Sequence, residues 1–401
     1  MARILDETIA RRGTGCVKWD ASLPAGVTLS PEEREQVIPM WVADMDFQAA
    51  PVIREAMQRR MDHGVFGYTC VPRSCFEAVR SWFSRRHGVD FPVSDMIYTT
   101  GVVPAISAVI KALAAPGEGV IIQTPVYNCF FSCIRNNGCK IVESPLLRRD
   151  LPDGRFSFDM DFEDLERKCA SGESKILLLC NPHNPAGRVW RKYELQKVES
   201  ICARHGVLVV SDEIHCEIVP PGEAYTPFAS VSSNGITLCS PSKSFNIAGL
   251  QMAFIVSGSS LHRMLIDKAI NINEICDVNP FAPVAVEAAY SLEGEKWLDS
   301  MNETVRVNYC EMLEAFRAAL PAIPVSLLEG TYLPWVDISS LGMPSFEVEK
   351  ELLQQEKVWI NAGSMYGDDR FIRINLAMPP SICREGIARV VKGLSRLSSN
   401  I

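Results

Sequence analysis

The sequence predicts an α/β architecture, a mostly parallel sheet with flanking helices followed by a smaller C-terminal α/β domain. Three observations point to it. Between about residues 50 and 290, stretches of helical spacing alternate with short apolar runs bounded by turn residues. Those runs, among them Val207-Leu208-Val209-Val210, lack the polar alternation of a strand with one wet face, so they read as strands covered on both sides. The chain has 401 residues, enough for more than one domain.

In order, residues 1–48 form an irregular, proline-containing arm that contributes to the small domain and the site. It ends in the compact run Pro39-Met40-Trp41-Val42-Ala43-Asp44-Met45-Asp46-Phe47. Residues 49–290 form the large domain, with helices over 76–87, 103–114 and 192–205. Its strands are expected at 96–99, 119–123, 175–180, 207–211, 236–239 and 253–257. Helical spacing over 283–319, with a break expected near Gly294, leads into a small domain at 291–401. That unit is expected to hold strands near 332–338 and 371–375 and helices near 346–354 and 383–397. In open sheets of this kind ligands gather at the carboxyl ends of strands.

Bulk properties exclude several classes. The net charge is −8 and no basic cluster exceeds Arg148-Arg149, which argues against nucleic acid or an anionic membrane surface as partner. The most apolar helical window, 102–115, contains Pro104 and Lys111 and is too short to span a bilayer. The first residues are charged at once, with no signal-like apolar stretch, so a cytoplasmic location is expected. Fourteen cysteines lie scattered in apolar contexts without a CxxC pair, which reads as buried free thiols. The six histidines show no ligand spacing, and no metal is expected.

Two polar residues end consecutive apolar runs. Asp212 closes the strand before Glu213-Ile214-His215, and Lys243 sits in Ser240-Pro241-Ser242-Lys243-Ser244 after the next. A buried aspartate is costly to ionise without a cationic partner. A pyridinium nitrogen is such a partner, an aldehyde needs a lysine to condense with, and a phosphate needs clustered donors. All three demands belong to pyridoxal 5′-phosphate (PLP). Ser240 and Ser242 offer hydroxyls, and Gly101-Val102-Val103-Pro104 opens a helix whose free N–H groups can hold a phosphate. His215 could reach a ring oxygen or hold Asp212, and Asn184, in the turn Asn181-Pro182-His183-Asn184-Pro185-Ala186-Gly187, could aim its amide at the same oxygen. Tyr127 could stack on the pyridine ring. Arg373 lies inside the apolar strand Phe371-Ile372-Arg373-Ile374-Asn375, where a substrate carboxylate or a structural ion pair would satisfy it. Singly each residue has a blander account, a helix cap, a core histidine or an ordinary turn. Asp212 and Lys243 on consecutive strand ends are the stronger signal.

Read together, these segments resemble the fold-type I PLP enzymes of the class I/II aminotransferase superfamily, and within it the cystathionine β-lyase-type C–S lyase branch. The resemblance runs from Lys18-Trp19-Asp20 and the Trp41–Phe47 run to Arg373-Ile374-Asn375-Leu376-Ala377. It implies that Lys243, in Ser-Lys-Ser-Phe-Asn-Ile-Ala-Gly, carries the cofactor, that Asp212 partners the pyridine nitrogen and that Asn184 bonds the ring oxygen. Tyr127 becomes the stacking aromatic, Arg373 the substrate-carboxylate arginine, with Ala43 and Asn184 on the substrate side. Gly101, Val102, Val103, Ser240 and Ser242 fall at the phosphate. Tyr68 matches a tyrosine that reaches the phosphate of the neighbouring subunit, which implies a homodimer with shared active sites and a catalytic set of Lys243, Asp212 and Tyr68.

Departures place the chain further. Typical aminotransferases carry tyrosine where His215 stands, and an arginine where this chain reads Gly249-Leu250-Gln251-Met252. Ala186 replaces a commoner threonine, and 361–367 follows the family pattern only loosely. The expected reaction is β-elimination from an S-substituted L-cysteine, cystathionine or a cysteine S-conjugate, to a thiol, pyruvate and ammonia. The alternatives are an aminotransferase on the same scaffold, or an enzyme of specialised metabolism that deaminates or decarboxylates a cysteine conjugate. A cofactor-holding regulatory protein is disfavoured, because the full set of catalytic side chains is present and no DNA-binding module is evident.

Overall fold

The structure, a computed structural model, describes residues 5–272, 274 and 277–399. A seven-stranded sheet forms its centre: β1 (Met96–Thr99), β2 (Gly119–Ile122), β3 (Lys140–Glu143), β4 (Ser174–Cys180), β5 (Leu208–Asp212), β6 (Ile236–Cys239) and β7 (Ala253–Ser257). Their spatial order is β1-β7-β6-β5-β4-β2-β3. Strand β7 runs antiparallel to both neighbours, and every other pairing is parallel. Helices cover both faces, so β2, β6 and β7 bury every side chain and β4 all but Lys175. This is the α/β fold the apolar runs predicted. Strand β3 was not anticipated, nor was the hairpin of Leu147–Asp150 with Phe156–Asp159. Lys140–Glu143 lies at the sheet edge and Leu147–Asp150 is wholly exposed, so neither carries a buried-strand pattern.

The helical break expected near Gly294 falls at residues 290–291. One helix ends at Ala289 and the next, Leu292–Ala319, starts after Ser291, whose hydroxyl accepts the Gly294 N–H at 3.1 Å. Gly294 is thus inside the first turn. It is glycine for close approach, since a Cβ there would strike the Ala289 carbonyl oxygen.

The C-terminal region builds a second core around Val336, Ile372, Leu352 and Val390. A three-stranded antiparallel sheet of Trp335–Asp337, Phe371–Arg373 and Asn361–Ala362 packs on the helices Ser345–Glu356 and Pro380–Ser398. The N-terminal arm joins this core, with Ile38–Pro39 pairing in parallel with Val358–Trp359. No helix among the described residues is long and apolar enough to cross a membrane, and each described cysteine is a free thiol.

Candidate active site

Three neighbouring parallel strands deliver their ends to one place. Strand β4 ends at Cys180 and β5 at Asp212, which stand opposite each other in register, and Asp212 in turn pairs with Leu238 of β6. The loops beyond are stitched to the strands: Asn181 N–H donates to the Asp212 carbonyl and Glu213 N–H to the Leu238 carbonyl, both at 2.9 Å. A cavity of about 190 Å³ opens there. Its wall includes Lys243, Asp212, His215, Asn184, Tyr127, Ala43, Ser242 and the turn from Gly101 to Val103. Residues far apart in sequence, singled out on motif grounds, therefore share one wall.

Burial sets their electrostatics. It pulls the Lys243 ammonium down from 10.5 to about 8, a fall that the nearby Asp44 opposes and Arg373 assists. Burial also pushes the Asp212 carboxyl up to about 7, against the one backbone hydrogen bond it accepts, from Ile214 N–H at 3.1 Å. His215 is held neutral, down to about 3, by burial and by the positive charges of Lys243 and Arg373. Its Nδ1 is buried without a partner. Burial likewise raises the Tyr127 phenol, which stays protonated.

Arg373 is on the C-terminal sheet and points back to this end of the central one. Its Nη1 donates to Asn184 Oδ1 at 3.1 Å and its Nη2 to the Trp41 carbonyl at 2.9 Å, while the buried Nε has no partner. A guanidinium only donates, so the Asn184 amide must turn its oxygen to Arg373 and keep its NH₂ for another acceptor.

Ala43 puts the run 41–47 on the cavity wall, and besides Lys243 that run is held by residues to which the sequence reading gave no role. Lys243 Nζ donates to the Ala43 carbonyl at 2.5 Å, and the buried Tyr332 hydroxyl donates to the same oxygen at 3.1 Å. Asn375 Nδ2 grips the Val42 and Asp44 carbonyls at 2.5 and 2.6 Å. Asn246, at a left-handed φ of 57°, bonds Met45 through both backbone groups and the Phe47 carbonyl. Beneath it Asp46 accepts from Lys18 at 2.7 Å, Arg11 at 2.6 Å and Trp19 at 2.8 Å. Nothing local marks these partners; only the sequence strings Lys18-Trp19-Asp20 and Ser-Phe-Asn hinted at them.

At the other end, Gly101, Val102 and Val103 start a helix whose first internal bond is Ala105 N–H to the Gly101 carbonyl at 3.0 Å, so the earlier N–H groups face the cavity wall unspent. Ser242 lines the same wall. Ser240 does not: its hydroxyl donates to the Met252 carbonyl at 2.6 Å and accepts Ser242 N–H at 3.1 Å, so it braces the turn instead of offering a free hydroxyl. Tyr68 is 98% exposed and outside this cavity. Among the described residues, His87, Cys216 and Glu217 come close enough to share an ion. The Glu217 carboxylate already accepts from Trp82 and His87 and pairs with Arg86 at 3.1 Å, so a guanidinium supplies the positive charge there.

The wall fits pyridoxal phosphate. A buried acid awaits a ring nitrogen, an amide NH₂ and an unpartnered imidazole nitrogen await a ring oxygen, and a helix start awaits a phosphate. The family model for "Aminotransferase class I and II" matches residues 35–390. The chain belongs to that family. Within the class I and II aminotransferases it is similar to the cystathionine beta-lyase PatB of Bacillus subtilis, 37% identical over 97% of this chain and 99% of the relative. Protein MalY of Escherichia coli is 33% identical over 97% of this chain and 98% of its own. Among solved structures, cystalysin of Treponema denticola, which contains a pyridoxal 5′-phosphate cofactor, superimposes with a TM-score of 0.91 at 35% identity, covering 98% of this chain and 99% of that one.

Proposed function

We propose that this class I and II family member is a PLP-dependent carbon–sulfur β-lyase. It takes an S-substituted L-cysteine and one water to a thiol, pyruvate and ammonia. The observation that carries this reading is the meeting of Lys243, Asp212 and a neutral His215 on one cavity wall, with Arg373 hydrogen-bonded to Asn184 of that wall. Relatives named for cystathionine β-lyase activity, similar over nearly the whole chain, support it.

Bound PLP supplies an electron sink for the charge left at Cα when its proton departs. Lys243 would hold the cofactor and, as a free amine, would accept the Cα proton. Its amine is suited to both roles because burial brings its proton affinity near neutral pH. Asp212 keeps the ring nitrogen protonated, and its own high proton affinity is relieved by that cation. Arg373 takes the α-carboxylate with the donors that Asn184 and Trp41 leave free, Nε among them. Asn184 turns its NH₂ to the ring oxygen, with His215 beside it. Ser242 and the helix start at Val102 and Val103 hold the phosphate, and Tyr127 covers the ring. Fixing the carboxylate and the amine leaves the Cα–H bond one orientation relative to Lys243. We infer further that the chain works as a cytoplasmic homodimer in which Tyr68 of each protomer completes the phosphate end of its partner's site.

The deciding assay incubates the purified yellow protein with cystathionine and a panel of S-substituted cysteines, with and without 2-oxoglutarate. Pyruvate and free thiol in equal amounts, independent of the keto acid, are the expected products. Glutamate formed only with 2-oxoglutarate identifies a transaminase instead, and carbon dioxide release a decarboxylase.

A further inference from the structure

We propose that Tyr366 is a positioning residue that presents Arg373 to the substrate carboxylate. The inference rests on the reading of Arg373 as the carboxylate site. A guanidinium held by hydrogen bonds from two of its nitrogens can still tilt about the line joining them. Arg373 is held in that way, by Asn184 and the Trp41 carbonyl. A surface against its face removes the tilt, and Tyr366 is that surface: its ring centroid lies 4.6 Å from the Arg373 Cζ.

Tyr366 is itself fixed. It is 1% exposed, and its hydroxyl accepts from Asn361 Nδ2 at 2.9 Å. Trp335 meets its ring edge-on at 5.5 Å. The same Asn361 nitrogen donates at 2.8 Å to the Trp41 carbonyl that Arg373 uses, so Arg373, Trp41, Asn361 and Tyr366 close a ring of contacts. The Tyr366 carbonyl also accepts Val126 N–H at 3.0 Å, which ties this ring to the segment carrying Tyr127. One residue thus sets the guanidinium plane and couples it to the cofactor side of the cavity. The aromatic face does the orienting, and the hydroxyl only fixes the ring.

The test compares Tyr366→Leu, Tyr366→Met, Tyr366→Phe and Arg373→Gln in the holoenzyme, on one S-substituted L-cysteine and its carboxamide. Tyr366→Leu is expected to raise KM for the acid about tenfold, between the sizes of an exposed and a fully desolvated cation–π contact, with kcat within about twofold. The preference for the acid over the carboxamide shrinks by a similar factor, and the visible band of the bound cofactor is unchanged. Tyr366→Phe restores both KM and the preference. Tyr366→Met, of similar bulk and flexible, serves where Tyr366→Leu does not fold, and is expected to behave as Leu does. The proposal is overturned if neither aliphatic variant changes KM or the acid preference, if the loss appears in kcat alone, or if Tyr366→Phe is as impaired as Tyr366→Leu. Arg373→Gln separates the two levels. If it leaves the acid preference intact, Arg373 is not the carboxylate site; if it abolishes the preference while the Tyr366 variants keep it, only the role of Tyr366 fails.

Discussion

The Lys243 amine and the Tyr332 hydroxyl donate to one acceptor, the Ala43 carbonyl oxygen, at 2.5 and 3.1 Å. The lysine is therefore held against the N-terminal segment as well as inside its own loop. Any group that moves residues 41–46 moves the acceptor on which the amine rests.

Burial brings the Lys243 ammonium to about 8, and this has a measurable consequence. Only the neutral amine condenses with an aldehyde, so the rate at which apoprotein takes up PLP should climb with pH around a midpoint near 8. A midpoint near that of a free lysine, about 10.4, would contradict the buried amine. Lys243→Ala should keep the fold and melt near the wild-type temperature. It should lose the visible band of attached cofactor and about 10⁴-fold or more of turnover. Wild-type turnover in that variant would sink the assignment.

Asp212 and Glu213 are both buried carboxyls raised to about 7. A carboxyl whose folded pKa lies above its unfolded one stabilises the fold fully below the unfolded value and loses that contribution as pH rises through the folded value. The contribution of these two carboxyls should therefore decline between about pH 4 and pH 7 and level off above. The buried neutral His215 and His183 contribute an opposite rise over about pH 3 to 6.5, so the pH slope is read as the difference between wild type and Asp212→Asn. Asp212→Asn removes one of the two contributions. At pH 8 its apoprotein should be more stable than wild type by an amount on the order of 2–4 kcal/mol at most, while its hold on PLP weakens and its activity falls. Chemical denaturation across this pH range checks both signs; an Asp212→Asn apoprotein with the wild-type pH slope and stability would count against the buried acid.

The sequence revealed what its local patterns encode. Asp212 and Lys243 were legible because each is a polar residue ending an unbroken apolar run, and Arg373 because a guanidinium stood inside one. Asn375, Asn246 and Tyr332 were not, because each acts by a hydrogen bond to a segment some two hundred residues or more away. Ser240 read as a phosphate donor from its hydroxyl in the Lys243 turn and from the family resemblance. Only the register of the turn against Met252 shows its hydroxyl is spent. Gly294 marked the break to within a few residues without causing it: it lies in the first turn after the break and is glycine because a Cβ there would strike a preceding carbonyl.

Lys18 is a fully buried cation whose Nζ lies 2.7 Å from Asp46. Burial alone would raise the Asp46 carboxyl, but the Lys18 ammonium, with help from Trp19 and Arg11, holds it below the usual carboxylate range. This interaction therefore stabilises the fold above the ordinary carboxylate pKa, and the contribution is lost as pH falls below about 4. Lys18→Met takes from Asp46 its one fully buried cationic partner and should cost about 3 kcal/mol at neutral pH, with a smaller difference from wild type in acid. Because Lys18 also donates to the Asp44 carbonyl at 3.3 Å, beside Ala43, the variant should lose activity before it loses fold. Equal stability of the two proteins at pH 7 would show that Arg11 and Trp19 suffice.

Tyr68 is 98% exposed, on a loop with Val65 at 64% and Phe66 at 49%. The loop is nevertheless anchored, with Arg60 donating to the Val65 carbonyl at 2.8 Å and Phe66 against Phe281 at 5.6 Å. Apolar and aromatic side chains presented to solvent on an anchored loop suit a surface that a second copy covers. If Tyr68 serves the partner's site, Tyr68→Ala and Lys243→Ala damage different components of one shared site. Each homodimer should be nearly inactive. After the two are mixed, unfolded and refolded in equal amounts, half the dimers carry one site with both lesions and one intact site, so about a quarter of wild-type activity should return. Recovery requires that each site draw its lysine from one protomer and its tyrosine from the other. A mixture no more active than its components, with heterodimers verified by mass, would place Tyr68 outside the site altogether or within its own protomer's.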